Sequence, residues 1–258
     1  MTMHRSAFTI ARFLLLEAMR DRFTLLIMTG LVLASLAAIF AGELAITESA
    51  AMQTALLAFT LRLFAVFTLS LFIISSMLRE FNDKGFELIL SHPVNRATYF
   101  FGKFTGYAVI ALLVTLCVSA CIQFFITGNY LLMWTLSLYC ELLIVVSLSL
   151  LCLFTLNNVT QAFTVVAGFY LLARSIQTIQ LISGAPILDQ QAISHQFMEA
   201  VIGLLAYVIP DLQRFTQTEW LLYGVSDSGD IYTVVMQTFI YVILLSAAGL
   251  FDLYRKEL

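Results

Sequence analysis

Apolar residues in this chain fall into six long runs, and the polar residues collect in the breaks between them. Residues 23–42, 55–78, 104–127, 132–156, 162–182 and 231–251 each reach the roughly 20 residues that an α-helix needs to cross a bilayer at about 1.5 Å per residue. The spacing predicts six membrane-crossing helices. A seventh apolar stretch, 197–209, is shorter than a span and is closed by Pro210, so a re-entrant or interfacial helix is expected there. It lies in the second long break, residues 183–230.

Ahead of the first run, residues 4–22 carry Arg5, Thr9, Arg12 and Arg20 on one side at helical spacing, with Phe8, Ala11, Leu15 and Met19 on another and Arg22 at the end. That pattern suits an interfacial helix whose basic face meets anionic lipid or a protein. The same residues would also serve as a plain anchor for the first span. Glu17 and Asp21 precede that span together with the arginines, and its length exceeds a signal core, so it is expected to be retained.

The longest polar break in the first two-thirds of the chain is residues 79–103, REFNDKGFELILSHPVNRATYFFGK. In helical spacing Phe81, Gly85 and Ile89 share a face, and Phe86 and Leu90 a neighbouring one. Glu80, Asp83, Lys84 and Glu87 make the polar remainder, and Pro93 stops the helix. Such a helix suits a groove on a soluble partner; a solvated connector on the membrane surface fits the same composition.

Composition agrees with the pattern. With 61% hydrophobic and 11% charged residues and a mean hydropathy of +0.95, the chain has too little polar surface for a soluble fold. It is expected to be an all-α polytopic membrane protein. Ten of the 13 Lys and Arg residues lie on the side of the two termini and the 79–103 loop; Arg214 stands on the opposite side with eight carboxylates. The asymmetry predicts that both termini and the loop are cytoplasmic. Nucleic acid is not an expected partner. Cys117, Cys121, Cys140 and Cys152 sit inside apolar runs, where a disulfide framework or a metal site is a poor reading.

Arg62, Glu141 and Arg174 interrupt three of the runs at similar depths, on the order of 10 to 15 Å from the outer ends. Charges at that depth face the bundle interior, pair, or touch water. The three could line a polar cavity for an anionic or amphipathic substrate, or form a buried ion pair that fixes helix register. Two arginines and one glutamate neutralise most of their charge among themselves, which favours the second reading.

Catalytic residues are not expected. His4 and His92 fall on the predicted cytoplasmic side and His195 on the other, and no HExxH string occurs. Nor does GxxxxGK[ST]: Gly102-Lys103-Phe104 lacks both the earlier glycine and the hydroxyl for magnesium. Any ATP used would be bound by a separate subunit.

Glu80, Gly85, Phe86-Glu87, Leu90, Pro93, Arg96 and Gly102-Lys103, in that order, resemble the loop between the second and third spans of the type-2 family of ABC transporter permeases. The likeness extends to IARFLLLEAMRDRF near the N-terminus, to the stretch from Ile209-Pro210-Asp211 to Phe215, and to the basic C-terminal tail. Phe86 stands where the family usually has Thr or Ser, and His92 before Pro93 is unusual. The resemblance implies the permease subunit of an exporter in a bacterial inner membrane. Its partners would be a second permease, identical or related, and two ATP-binding subunits that carry ATP and Mg. Glu80, Phe81, Gly85, Phe86, Glu87, Leu90 and Pro93 would form the coupling helix, Arg5, Arg12, Arg20 and Arg22 would belong to an elbow helix, and 197–209 would be a re-entrant helix at the exit. The alternative within this layout is a transmitter that moves a periplasmic partner and transports nothing.

Overall fold

The computed structural model describes residues 2–44, 49–83, 95–126, 131–156, 158–183, 193–216, 219–222 and 228–255. They form α1 (Thr2–Arg20), α2 (Phe23–Leu44), α3 (Ser49–Asn82), α4 (Arg96–Gln123), α5 (Leu131–Thr155), α6 (Val159–Ser183), α7 (Ile193–Val208), a 3-10 turn (Arg214–Thr216), α8 (Glu219–Leu222) and α9 (Ser228–Arg255). No strand occurs among the described residues. Six helices, α2 to α6 and α9, are long and apolar enough to cross a membrane, which fits a multi-pass membrane protein.

The central span is α5. Within its apolar window 78% of the residues are buried, against 22% for α2 and for α9, because it packs on α3, α4, α6 and α9 at once. Outward-facing Leu33, Phe40, Phe239 and Leu244 of α2 and α9 are exposed, as lipid-facing side chains should be. Helix α1 lies on α4, α2 on α3, and α7 on α6. We call the end of the bundle that carries Arg79, Arg96 and Arg255 the basic end, and the end that carries Glu43 and Asp211 the acidic end.

Several boundaries differ from the sequence expectation. α3 continues to Asn82 and α4 starts at Arg96, so the break drawn at 79–103 is helical at both flanks. Polar side chains stay in helix there because partners from elsewhere in the chain satisfy them: Arg79 reaches Glu17 at 2.7 Å, and Glu80 pairs with Lys103. α7 starts four residues earlier than the apolar stretch 197–209 and stops before Pro210, which cannot continue a helix.

The buried side of α1 differs in part: Ala11 meets α4 and Leu15 packs on the core as spaced, but Met19 does not. Leu14 and Ala18 face α4 and the core, while Met19 is 73% exposed together with Phe13 and Leu16. The contact is close because position 106 of α4 is glycine. A Cβ at Gly106 would stand 2.6 Å from Leu14 Cδ1 and 3.1 Å from the Ala11 Cα. α1 ends at Arg20, where the Thr24 hydroxyl donates to the Ala18 carbonyl at 2.8 Å and Asp21 Oδ1 accepts the Arg22 backbone N–H at 2.9 Å. These bonds satisfy groups that a helix end leaves open and turn the chain into α2.

Candidate functional site

Two polar constellations interrupt the apolar bundle, one toward each end. Toward the acidic end, α3 supplies Arg62, α5 supplies Glu141, Ser137 and Trp134, and α6 supplies Tyr170 and Arg174. Arg62 Nη1 lies 3.0 Å from Glu141 Oε2 in a bridge whose side chains are only 2% and 0% exposed. The Tyr170 hydroxyl donates to the other carboxylate oxygen at 2.7 Å and accepts from Arg174 Nη1 at 2.9 Å. Arg62 therefore meets Glu141 directly, and Arg174 joins through a tyrosine.

Each arginine also covers an aromatic face: the Arg62 guanidinium is 4.7 Å from the Trp134 ring and that of Arg174 is 4.8 Å from Phe59. Such contacts help offset the loss of hydration. The cluster draws in the chain after Pro210 as well. The Phe215 carbonyl, on the 3-10 turn, accepts from both Arg62 Nη1 and the Ser137 hydroxyl, and the Phe215 ring is fully buried. Arg62 Nη2 has no hydrogen-bond partner among the described residues. One excess positive charge remains in this group, spread over two guanidinium planes.

The basic end is organised around the last turn of α3. Arg79 Nη2 bridges Glu17 at 2.7 Å and Asp21 at 3.4 Å, both on the α1 side, and the Ser76 hydroxyl donates to the same Glu17 oxygen at 2.8 Å. One residue on, Glu80 accepts from Lys103 Nζ and, at 3.0 Å, from the Tyr99 hydroxyl, both on α4. Phe81 sets its ring edge-on to Phe154 of α5 at 6.1 Å. The Arg79 side chain is 53% exposed, and bridges of that kind are worth roughly 0.2 to 1 kcal/mol each. Lys103 is only 5% exposed, so removing the Glu80 carboxylate would leave a buried charge unpaired, a larger cost than losing an exposed bridge.

Of the candidate coupling residues, Glu80 and Phe81 are thus rooted in the bundle, whereas Gly85, Phe86, Glu87, Leu90 and Pro93 lie outside the described residues. Arg5 belongs to α1. Arg12, Arg20 and Arg22 are exposed. Sequence reasoning did not single out Tyr170 or Trp134 at one end, nor Ser76 and Tyr99 at the other, and it named Phe215 only as part of the stretch after Pro210. A lone tyrosine or tryptophan in an apolar run gives no signal, and a backbone acceptor such as the Phe215 carbonyl gives none at all.

Among the described residues, two surface clefts stand out. One of about 690 Å³ lies toward the acidic end between α6, α7 and α9, with Gln180, Tyr207, Asp211 and Arg214 on its wall; Arg214 Nε bridges Asp211 at 2.9 Å. The other, of about 410 Å³, runs between α2, α3 and α6. Neither is lined by Arg62, Glu141 or Arg174. Among the described residues no group of three His, Cys, Asp or Glu side chains could hold a metal ion, and the four cysteines are free thiols. A scan of family models finds none that matches the chain, and a search of curated proteins finds no match.

Proposed function

We propose that the chain is the permease subunit of an ATP-driven exporter of the type-2 ABC kind, seated in a bacterial cytoplasmic membrane with both termini cytoplasmic. It contributes no catalytic residue and no cofactor site; ATP and Mg belong to two copies of a soluble partner, and a second permease, identical or related, completes the pathway. The order of Glu80, Gly85, Glu87, Leu90, Pro93 and Gly102-Lys103 is the sequence support for this reading.

The observation that carries it physically is the clamp formed by Glu80 with Lys103 and Tyr99. Both roots of the loop are tied to each other, and Arg79 ties the same turn to α1. A force applied to the loop by a closing ATPase therefore reaches α1, α3 and α4 as one body. In this account the coupling segment that runs from Arg79 to Pro93 docks in the ATPase groove, α1 acts as the elbow helix, and α7 is the re-entrant helix that narrows the outer exit.

A photo-crosslinking amino acid placed at Leu90 tests the docking. The adduct should contain a nucleotide-binding protein, and a probe at the exposed position Phe239 on α9 should give no such adduct. Labelling of lipid alone from position 90 would contradict the assignment.

A second reading is a mechanical transmitter acting on a periplasmic partner. It is favoured by the Phe215 carbonyl on Arg62, which links the segment after α7 to the middle of the bundle. Export of a compound by the reconstituted complex, with no periplasmic protein present, would exclude it.

A further inference from the structure

The cleft between α2, α3 and α6 is walled mainly by apolar side chains and ends at charged ones. Its wall on α3 runs from Ser75 to Phe64, twelve residues whose helical rise of about 1.5 Å each spans about 16 Å, close to half of the ~30 Å hydrocarbon core. The slot is therefore one leaflet deep. It is apolar along its length, lined by Phe67, Phe72 and Phe163 among others, and its basic-end mouth is Asp21 and Arg22.

The rings are fixed rather than loose. Phe67 stands edge-on to Phe163 at 6.3 Å and to Tyr170 at 5.8 Å, and Phe72 stacks on Phe23 at 4.3 Å. Nearby, α2 carries Gly30. The Phe64 ring fills the space of its missing side chain, since a Cβ there would meet Phe64 Cε1 at 2.1 Å.

Charge at the mouth selects the head. Asp21 is already engaged, through Oδ2 by Arg79 at 3.4 Å and through Oδ1 by the Arg22 backbone N–H at 2.9 Å. Arg79 also bridges Glu17. Arg20 and Arg22 are exposed, and no hydrogen bond or ion pair occupies either guanidinium among the described residues. The five charges Glu17, Arg20, Asp21, Arg22 and Arg79 leave one net positive, and it resides on groups with donors to spare. A guanidinium at the interface beside a leaflet-deep apolar slot matches a lipid phosphate and its chain.

We propose that this slot binds an anionic phospholipid, one acyl chain between α2, α3 and α6 and the phosphate on Arg22. The site is independent of any ATPase and stands whether or not the exporter reading does.

The test uses the full chain in detergent with equal amounts of phosphatidylglycerol and phosphatidylcholine, read by native mass spectrometry. The wild-type protein should retain one lipid, with phosphatidylglycerol preferred. Arg22→Ala should reduce that preference roughly fivefold, the effect of one exposed cation facing an anionic head, while Arg22→Lys should keep most of it. Ser75→Trp, at an exposed position on the slot wall, should displace both lipids without changing the thermal midpoint. Retention of no lipid by the wild type, retention without headgroup preference, or an Arg22→Ala protein with unchanged preference would each overturn the proposal.

Discussion

The Arg62 guanidinium donates to the carbonyl of Phe215, a residue 153 positions further along the chain, and with the same nitrogen bridges Glu141 at 3.0 Å. One side chain thus joins α3, α5 and the segment that follows α7. Because all of it is out of contact with water, the pieces stand or fall together. Replacing Arg62 by Leu leaves the Glu141 carboxylate with only the Tyr170 hydroxyl, and breaking a buried pair from one side costs about 3 to 5 kcal/mol. The Arg62→Leu protein should show a clearly lowered unfolding midpoint in detergent. Adding Glu141→Leu should recover much of the loss, since two apolar side chains replace the pair. Equal midpoints for wild type and Arg62→Leu would mean that water reaches the site.

At the basic end the same reasoning applies to Glu80. Lys103 is buried there and depends on that carboxylate. Glu80→Gln should destabilise the protein by about 3 kcal/mol, and Lys103→Met in the same chain should reverse most of it. Arg79→Ala, whose bridges are half exposed, should cost no more than about 1 kcal/mol. Thermal unfolding of the wild type and the three variants side by side measures the contrast.

The seat of α1 on α4 makes a third prediction. Gly106→Val puts a branched side chain where Leu14 Cδ1 and the Ala11 backbone already stand, an overpacking worth roughly 1 to 3 kcal/mol. Gly168→Val on α6, where nothing lies within 4 Å of the added Cβ, is the control for helix propensity. Hydrogen exchange along α1 should accelerate in the first variant and stay unchanged in the second.

How much of this was legible in the sequence follows from the physics of each part. Six spans are readable because a lipid-facing helix needs a long uncharged run, and such runs survive without knowledge of neighbours. The common depth of Arg62, Glu141 and Arg174 can be counted in the same way. Tyr170 as their bridge cannot, because ten tyrosines are present and none carries a mark of its partner. The helical flank at 96–103 was hidden for a related reason: a polar stretch reads as a loop until Glu80 is known to lie beside Lys103. For α1, the periodic pattern placed Met19 on one side with Ala11 and Leu15. The small residue at Gly106 decided for Leu14 and Ala18 over Met19.

The account rests above all on a soluble ATPase docking at the loop that Glu80 and Lys103 close. The most direct measurement is magnesium-dependent ATP hydrolysis in the native complex, purified through a tag on this chain from its own membrane. Activity should co-purify with the wild-type chain and vanish with Glu87→Ala or with deletion of residues 81–90, while both variants still insert in the membrane. A wild-type preparation without ATP hydrolysis, or undiminished hydrolysis after the deletion, would contradict it.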